Sequence, residues 1–545
     1  MTVRNILFIM ADQLRFDYLS CTGHPHLHTP NIDRIAAEGV RFSRAYVQSP
    51  VCGASRMCFY TGRYMQSHGA VWNGIPLKVG EMTLGDYLRP LGLRTALVGK
   101  THMRADAEGM ARLGIDPASP IGTLVTQCGF EPYARDDGLH GQGPDGWYDP
   151  AGPDTPYQNY LRTLGYDTEN PWHDFANSAR DDDGARLSGW LMKHCDQPAA
   201  VPDEHAETPW TTRQAMAFME DAGDDPWCLH LSYIKPHWPY IVPAPYHNLY
   251  SAEHVLPVVR DDHERVDPHP VYAAFMNHRS SQAFSRQGVR EAVIPAYMGL
   301  IKQLDDQIGE LLDFMTRTGR LEDTLIVFTS DHGDFLGDHW LGEKDLFHEP
   351  SAKVPLLIRD PSADADATRG TVCDALVESI DLAATFVDVA GGAVQPHRLE
   401  GASLLPWLHN TPPETWRRHV ISEYFYGIFP SGKAVHGDKI DDARLFMVFD
   451  GRYKLTHAPD MPPMLFDLDT DPDELRDLGR DPTYEAECER LMAALHRWGL
   501  RESQRQTRSA EQMLAMRGKS QRRGINVGLW DLDDLPEGDV RDTLA

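Results

Sequence analysis

Short, unbroken apolar runs alternate with stretches of helical periodicity along most of this chain. Residues 5–11 (NILFIMA) are too few for a helix and predict a strand buried on both faces. Residues 42–47, 94–98, 227–233, 324–329 and 354–358 read as strands too. Helices are predicted between them. Pro30 suits the first turn of one, and Gly39 marks its stop. Others cover 83–91, 211–221 and 379–389. Residues 295–315 give the clearest helix, with Ile301, Leu304, Ile308, Leu311, Leu312 and Met315 on one face. This alternation predicts an α/β fold, a large mixed, mostly parallel sheet sandwiched by helices. Beyond residue 412 the pattern changes to short strands at 419–425, 445–449, 453–456 and 464–468, then a helix over 482–498. That predicts a smaller C-terminal antiparallel sheet plus helix domain. The expected division is 1–412, 413–500 and a tail, 501–545, which begins basic, ends acidic and buries little alone. The tail is expected to be a contact within a homo-oligomer, a dimer or tetramer. Segments 104–209 and 240–292 are rich in turn residues, lack a clear period and are expected to wall the substrate side of a site.

Length changes this picture little: 545 residues exceed one core and fit at least two domains. Charge changes it more. A net charge of -28 repels nucleic acid and anionic membrane surfaces, so neither is an expected partner. An anionic ligand then needs a local pocket of cationic groups. The eight cysteines show no paired spacing, which excludes a disulfide framework and a CxxC zinc site. The N-terminal apolar run lacks the length and cleavage site of a signal peptide, and the expected location is cytoplasmic.

The chemistry-bearing residues follow the predicted strands or sit in loops beside them, where a parallel-rich sheet gathers its ligands. Asp12 and Gln13 end the first. Lys100 and His102 end the strand at 94–98, and Lys235 and His237 follow the one at 227–233. The strand at 324–329 leads into Ser330-Asp331-His332-Gly333-Asp334, a metal-site signal, with Lys344 beyond it. Between them lies SPVCGASRMCFYTGRY, in which Cys52 precedes Arg56 by four residues. Read alone, this is a thiol beside a fixed positive charge in a turn of small residues, or else a packed, inert cysteine.

Taken together these residues resemble the sulfatases of the alkaline phosphatase superfamily. Their signature, C-x-[PA]-S-R followed by T-G-R, is matched by Cys52-Gly53-Ala54-Ser55-Arg56 and Thr61-Gly62-Arg63. The resemblance spans roughly residues 5–482, through Asp12-Gln13, Lys100-Thr101-His102, Lys235-Pro236-His237, Asp331-His332-Gly333, Lys344 and Leu465-Phe466-Asp467-Leu468. It implies that a formylglycine-generating enzyme oxidises Cys52 to formylglycine. The aldehyde hydrate would attack the ester through a metal-bound oxygen, and its second hydroxyl would let the aldehyde re-form as the anion leaves. Carried over residue by residue, Asp12, Gln13, Asp331, His332 and residue 52 would hold one divalent metal. Arg56 would orient the diol. Lys100, Lys344 and His237 would contact the transferring group and leaving oxygen, His102 would take the second proton, and Asn73 would touch the bound anion.

Two positions depart from the commoner sulfatase pattern: Gln13 stands for an Asp and His332 for an Asn. The donors stay hard, so calcium is the first expectation and manganese the second. Ala54 replaces the commoner proline. Gln13 and Asn73 are similar to the phosphonate monoester hydrolase branch, whereas the Lys100–His102 pair follows the sulfatase pattern. The expected substrate is a small anionic ester, an aryl sulfate first, with phosphonate monoesters and phosphodiesters as the alternative. Trp147, Tyr157 and Tyr160 are expected to suit an aryl group. A two-zinc phosphatase would use Ser or Thr where Cys52 stands, and a silent binding protein would leave Cys52 unmodified.

Overall fold

The computed structural model describes residues 3–138 and 155–517. Its main sheet has eight strands: β1 (Asn5–Asp12), β2 (Val40–Tyr46), β3 (Arg94–Gly99), β4 (Glu131–Arg135), β5 (Trp227–Pro236), β6 (Thr324–Ser330), β7 (Leu356–Arg359) and β8 (Thr371–Glu378). They lie in the order β8-β2-β7-β6-β1-β5-β3-β4, and β7 alone runs antiparallel to its neighbours. The unbroken apolar run of β1 serves two cores at once. Leu7, Ile9 and Ala11 face one, while Ile6, Phe8 and Met10 face the other. The first core is closed by α1 (Pro30–Ala37), and the second by α2 (Cys52–Thr61). Helices α3 (Glu207–Ala222) and α4 (Val289–Arg317) pack with α1, and α5 (Asp381–Val389) packs with α2. This is the expected sandwich. Helix α4 begins at Val289, so Pro295 lies inside it rather than at its start.

The unpredicted strands, β4 and β8, are the two edges of the sheet. An edge strand need not be buried on both faces, so neither carries an unbroken apolar run. β4 lies inside segment 104–209, which also holds short helices and a hairpin of Ser178–Arg180 with Arg186–Ser188.

A second, antiparallel sheet follows: β9 (Val420–Phe425), β10 (Arg444–Phe449), β11 (Tyr453–His457) and β12 (Met464–Asp467). Helix α6 (Glu485–Gly499) covers it. The core of this unit includes Val51, Ala54 and Cys58, so it backs α2. Lys454 is buried between Glu349 (2.7 Å) and Glu474 (2.8 Å), pinning the small sheet to the loop after β6. The described part of the tail runs back over its own chain. Arg501 pairs with Glu400 at 2.8 Å, and the carbonyls of Ser503 and Gln506 accept from Arg63 and Arg398. The acidic end of the tail lies outside the described residues.

Glu423 of β9 accepts the backbone N–H of Gln66 at 3.0 Å, just past α2. Burial pushes this carboxyl from 4.5 to about 7. The folded state therefore binds a proton that the unfolded state releases between those values, and stability falls as pH rises through that window. Glu423→Gln should remove this contribution and flatten the fall. Urea midpoints measured from pH 4.5 to 8 check it, and an unchanged slope would contradict the assignment.

Candidate active site

Four contiguous strands, β6-β1-β5-β3, bring their carboxyl ends to one edge. In register, Ala11 pairs with Ser330, Asp12 with Pro236, and Gly99 with Ser232. Asp331 and His332, Asp12 and Gln13, His237, and Lys100 and His102 are thereby neighbours, although sequence separates them by hundreds of residues. Gly99 permits the close approach: a Cβ there would lie 1.9 Å from the Ser232 carbonyl oxygen.

Cys52 is not in a turn. It opens α2, and Arg56 stands one turn later on the same face. Gly53 matters here, because a Cβ would meet Asn73 Oδ1 at 2.8 Å. Asn73 instead accepts the Gly53 N–H at 2.7 Å, which leaves its amide NH2 for the cavity. Arg56 Nε donates to Asp331 Oδ2 at 2.8 Å and Nη2 to Asp12 Oδ2 at 3.0 Å. Its Nη1 donates to the Lys100 carbonyl and Ser232 Oγ, both at 2.8 Å. Ser55 Oγ donates to the Asp331 carbonyl at 2.6 Å.

The Cys52 sulfur lies 3.0 Å from His332 Nε2 and 3.9 Å from Asp12 Oδ1. Ligand atoms of Asp12, Cys52, Asp331 and His332 all fall within 4.8 Å of one another, a set that fits one divalent cation. His332 Nδ1 donates to the Gly333 carbonyl at 2.9 Å, which leaves the Nε2 lone pair for that cation. Gln13 sits beside this group. Its N–H donates to Asp331 Oδ1 at 3.1 Å, and its side-chain oxygen accepts from Lys344 Nζ at 3.1 Å. Gln13 and His102 both have left-handed backbones, at φ 64° and 57°. Carboxylates of Asp331 and Asp137 hold their N–H groups there.

The electrostatics follow from burial and from Asp12. Burial would raise Asp12, but the Lys100 and Arg56 charges outweigh it and hold the carboxylate well below its usual range. Lys100 Nζ is 2.5 Å from Asp12 Oδ2. Burial would lower Lys344, yet Cys52, Glu343 and Asp12 raise it, so its ammonium is retained. Burial pushes His102, His237 and His332 down, and these imidazoles are neutral near pH 7.

The sulfatase family model matches residues 4–393, and a second model, N-sulphoglucosamine sulphohydrolase, C-terminal, matches residues 337–500. This chain belongs to the sulfatase family. Among its relatives, the multifunctional alkaline phosphatase superfamily protein PehA of Trinickia caryophylli is 31% identical, over 89% of this chain and 93% of that one. An arylsulfatase of Clostridium perfringens is 27% identical, over 90% and 93%. Phosphonate monoester hydrolases of Silicibacter pomeroyi and Agrobacterium radiobacter superpose with TM-scores of 0.78 and 0.77, at 27% and 26% identity. The alignments cover 91% of this chain and 94% and 96% of theirs. The family works with a divalent metal and a formylglycine made from the signature cysteine, and this sulfatase has residues that fit both.

A cavity of about 440 Å³ opens over Cys52 in this sulfatase. Asn73, Lys100, His102, His237 and Lys344 all line it, as the sequence predicts. Lys235 does not. Its ammonium donates to Asn177 Oδ1 at 2.6 Å and to the Pro239 carbonyl at 3.0 Å. Aromatic walls are present but are not the expected ones. Tyr157 is fully buried and packs with Tyr160 and Trp210 away from the cavity, and Trp147 lies outside the described residues. Trp172, Trp190 and Trp238 form one wall, with the last two rings 4.9 Å apart. Trp72 and Phe429 form the other, at 4.8 Å. Among the described residues, none from 240–292 lines the cavity. Asp137, which holds His102, has no local signal in the sequence, because only the fold brings it there, whereas Asp334, which holds Gln13, stands inside the 330–334 motif.

Arg56→Lys keeps one charge and loses the planar fork. It should destabilise the metal-free protein by about 3 kcal/mol, the cost of leaving buried carboxylates unpaired. A divalent cation should restore part of that by neutralising the same two acids. Chemical denaturation with and without added metal checks both parts.

Proposed function

We propose that this sulfatase-family enzyme hydrolyses sulfate monoesters, aryl sulfates foremost. The observation that carries the reading is the Lys100–His102 pair lining the cavity beside Cys52. With His237 and Lys344, these residues offer nitrogen groups around one anion. A sulfate monoester has three terminal oxygens to meet them. A phosphonate monoester replaces one oxygen with carbon and leaves a buried donor unpaired. The tryptophan wall beside His237 supports an aromatic alcohol.

Residue roles follow from protonation and position. Lys344 is held protonated, 3.4 Å from His237 Nε2, and donates towards the leaving oxygen. Lys100, anchored on Asp12, stabilises charge on the transferring group. His102 is neutral, interacts with Cys52 and has no partner for its buried Nδ1 among the described residues, so the imidazole can accept a proton. Asp12, Gln13, Asp331, His332 and residue 52 would hold a divalent cation, calcium first and manganese second, supplying Lewis-acid stabilisation when bound. The formylglycine from Cys52 would supply a hydrated aldehyde as nucleophile.

A second reading, phosphonate monoester hydrolysis, is favoured by Gln13 and Asn73 in this site and by the likeness to solved phosphonate monoester hydrolases. Comparing kcat/KM for 4-nitrophenyl sulfate and a 4-nitrophenyl phosphonate monoester decides between them. The sulfate should lead, and a large phosphonate preference would overturn the first reading. Lys100→Ala should cost the sulfate about a hundredfold to a thousandfold in kcat. Mass spectrometry of the Cys52 peptide from the native host should show the aldehyde mass. Thiol mass alone would remove the formylglycine route.

A further inference from the structure

The cavity carries carboxylates as well as cations. Glu343 and Asp345 flank Lys344, and all three line it. Asp345 is only 5% exposed, and its carboxyl makes no direct ion pair among the described residues, although the Lys344 charge acts on it. The adjacent Lys344 ammonium is turned to Gln13 and His237, and the Tyr424 hydroxyl is the neighbour beside the carboxyl. Both carboxylate residues have left-handed backbones, at φ 65° and 102°, around the lysine between them. The Tyr424 ring is 5.9 Å from Trp72, whose own ring meets Phe429 edge-on. The cavity therefore combines two carboxylates with two aromatic rings, and Asp345 is linked to Trp72 through Tyr424.

Beyond their support of the Lys344 charge, an anionic ester gains nothing from carboxylates near its alcohol. A cation gains from both components: from the carboxylates by charge, and from the rings by their quadrupoles. Burial raises Asp345 to about 7, and a cation seated beside it would return it to the charged form. We infer that the Glu343–Asp345–Trp72–Phe429 corner binds an ammonium group on the alcohol side of the ester, so that the substrates this enzyme prefers are zwitterionic. This rests on the hydrolytic reading above, but not on the choice between sulfate and phosphonate.

The test uses one series of aryl sulfates bearing a trimethylammonium, a neutral or a carboxylate substituent, and the same series as phosphonate monoesters. The cationic member should exceed the neutral one in kcat/KM by about tenfold, with the carboxylate member last. Tetramethylammonium alone should inhibit competitively. Asp345→Asn should cut the cationic-to-neutral ratio by about tenfold and abolish that inhibition. Trp72→Ala gives the same readout should Asp345→Asn fail to fold. Equal losses on all three substituents mean that the carboxylates only balance Lys344, and that result overturns the inference, as does a flat charge series in the unaltered enzyme. A charge ranking seen with phosphonates and not with sulfates would sink the proposed sulfate preference and leave the cation corner standing.

Discussion

The guanidinium of Arg56 lies between Asp12 and Asp331, and none of the three side chains is exposed. Two carboxylates ending adjacent parallel strands repel each other strongly in a dry interior. A planar fork that donates to both removes that repulsion and fixes their spacing. It also ties α2 to the sheet edge, so residue 52, one turn earlier, is held over the same two acids. Lys100 adds a second cation against Asp12. Two acids then face two cations, and the cluster is near neutrality before any metal arrives. A divalent ion gives it net positive charge. Anion affinity in this site is therefore coupled to metal occupancy through Arg56, whose other bonds reach the backbone of Lys100, just past β3, and the side chain of Ser232.

The small sheet is part of the same constraint from behind. Val51, Ala54 and Cys58 present the back of α2 to its core. Lys454, buried between Glu349 and Glu474, joins that sheet to the segment carrying Lys344. Phe429, in the loop after β9, reaches the cavity itself. At the far end of α2, Arg63 is clamped by Glu81 at 2.5 Å and by the returning tail. The helix is thus held at both ends and along its back, as an orienting helix over a tightly spaced ligand set requires.

How much of this the sequence reveals depends on how local the cause is. Interior strands such as β1 and β6 are written as unbroken apolar runs because both faces are buried, and Asp12 and Asp331 stand at their ends. Edge strands β4 and β8 lack that signature. The start of α2 reads as a turn because Cys-Gly-Ala-Ser carries no helix-start signal. Val51 precedes it without a capping side chain, and the helix is fixed by Asn73, Asp331 and the core of the small sheet. Site residues carried by a motif are legible. The cavity walls are not, since Trp72, Trp172, Trp190, Trp238 and Phe429 come from separate segments that meet only in the fold. Tyr157 has the right composition in the right segment, yet its ring fills core beside Trp210.

The chain's overall charge of -28 bears on what this cavity can admit. At physiological salt that field is screened beyond about 8 Å, so it acts mainly on approach, where it disfavours anions in proportion to their charge. Inside, Lys100 and Lys344 reverse the sign over a few ångströms, and a divalent metal would add to them. A polyanion is thus opposed twice, by the surface outside and by Glu343 and Asp345 at the wall. A singly charged ester is opposed only weakly. A zwitterion meets attraction at both ends, with its ester group over Cys52 and its cation at the Trp72 corner. The acidic surface and the basic floor are therefore consistent parts of one filter. It selects for low net charge and rewards charge separated along the substrate.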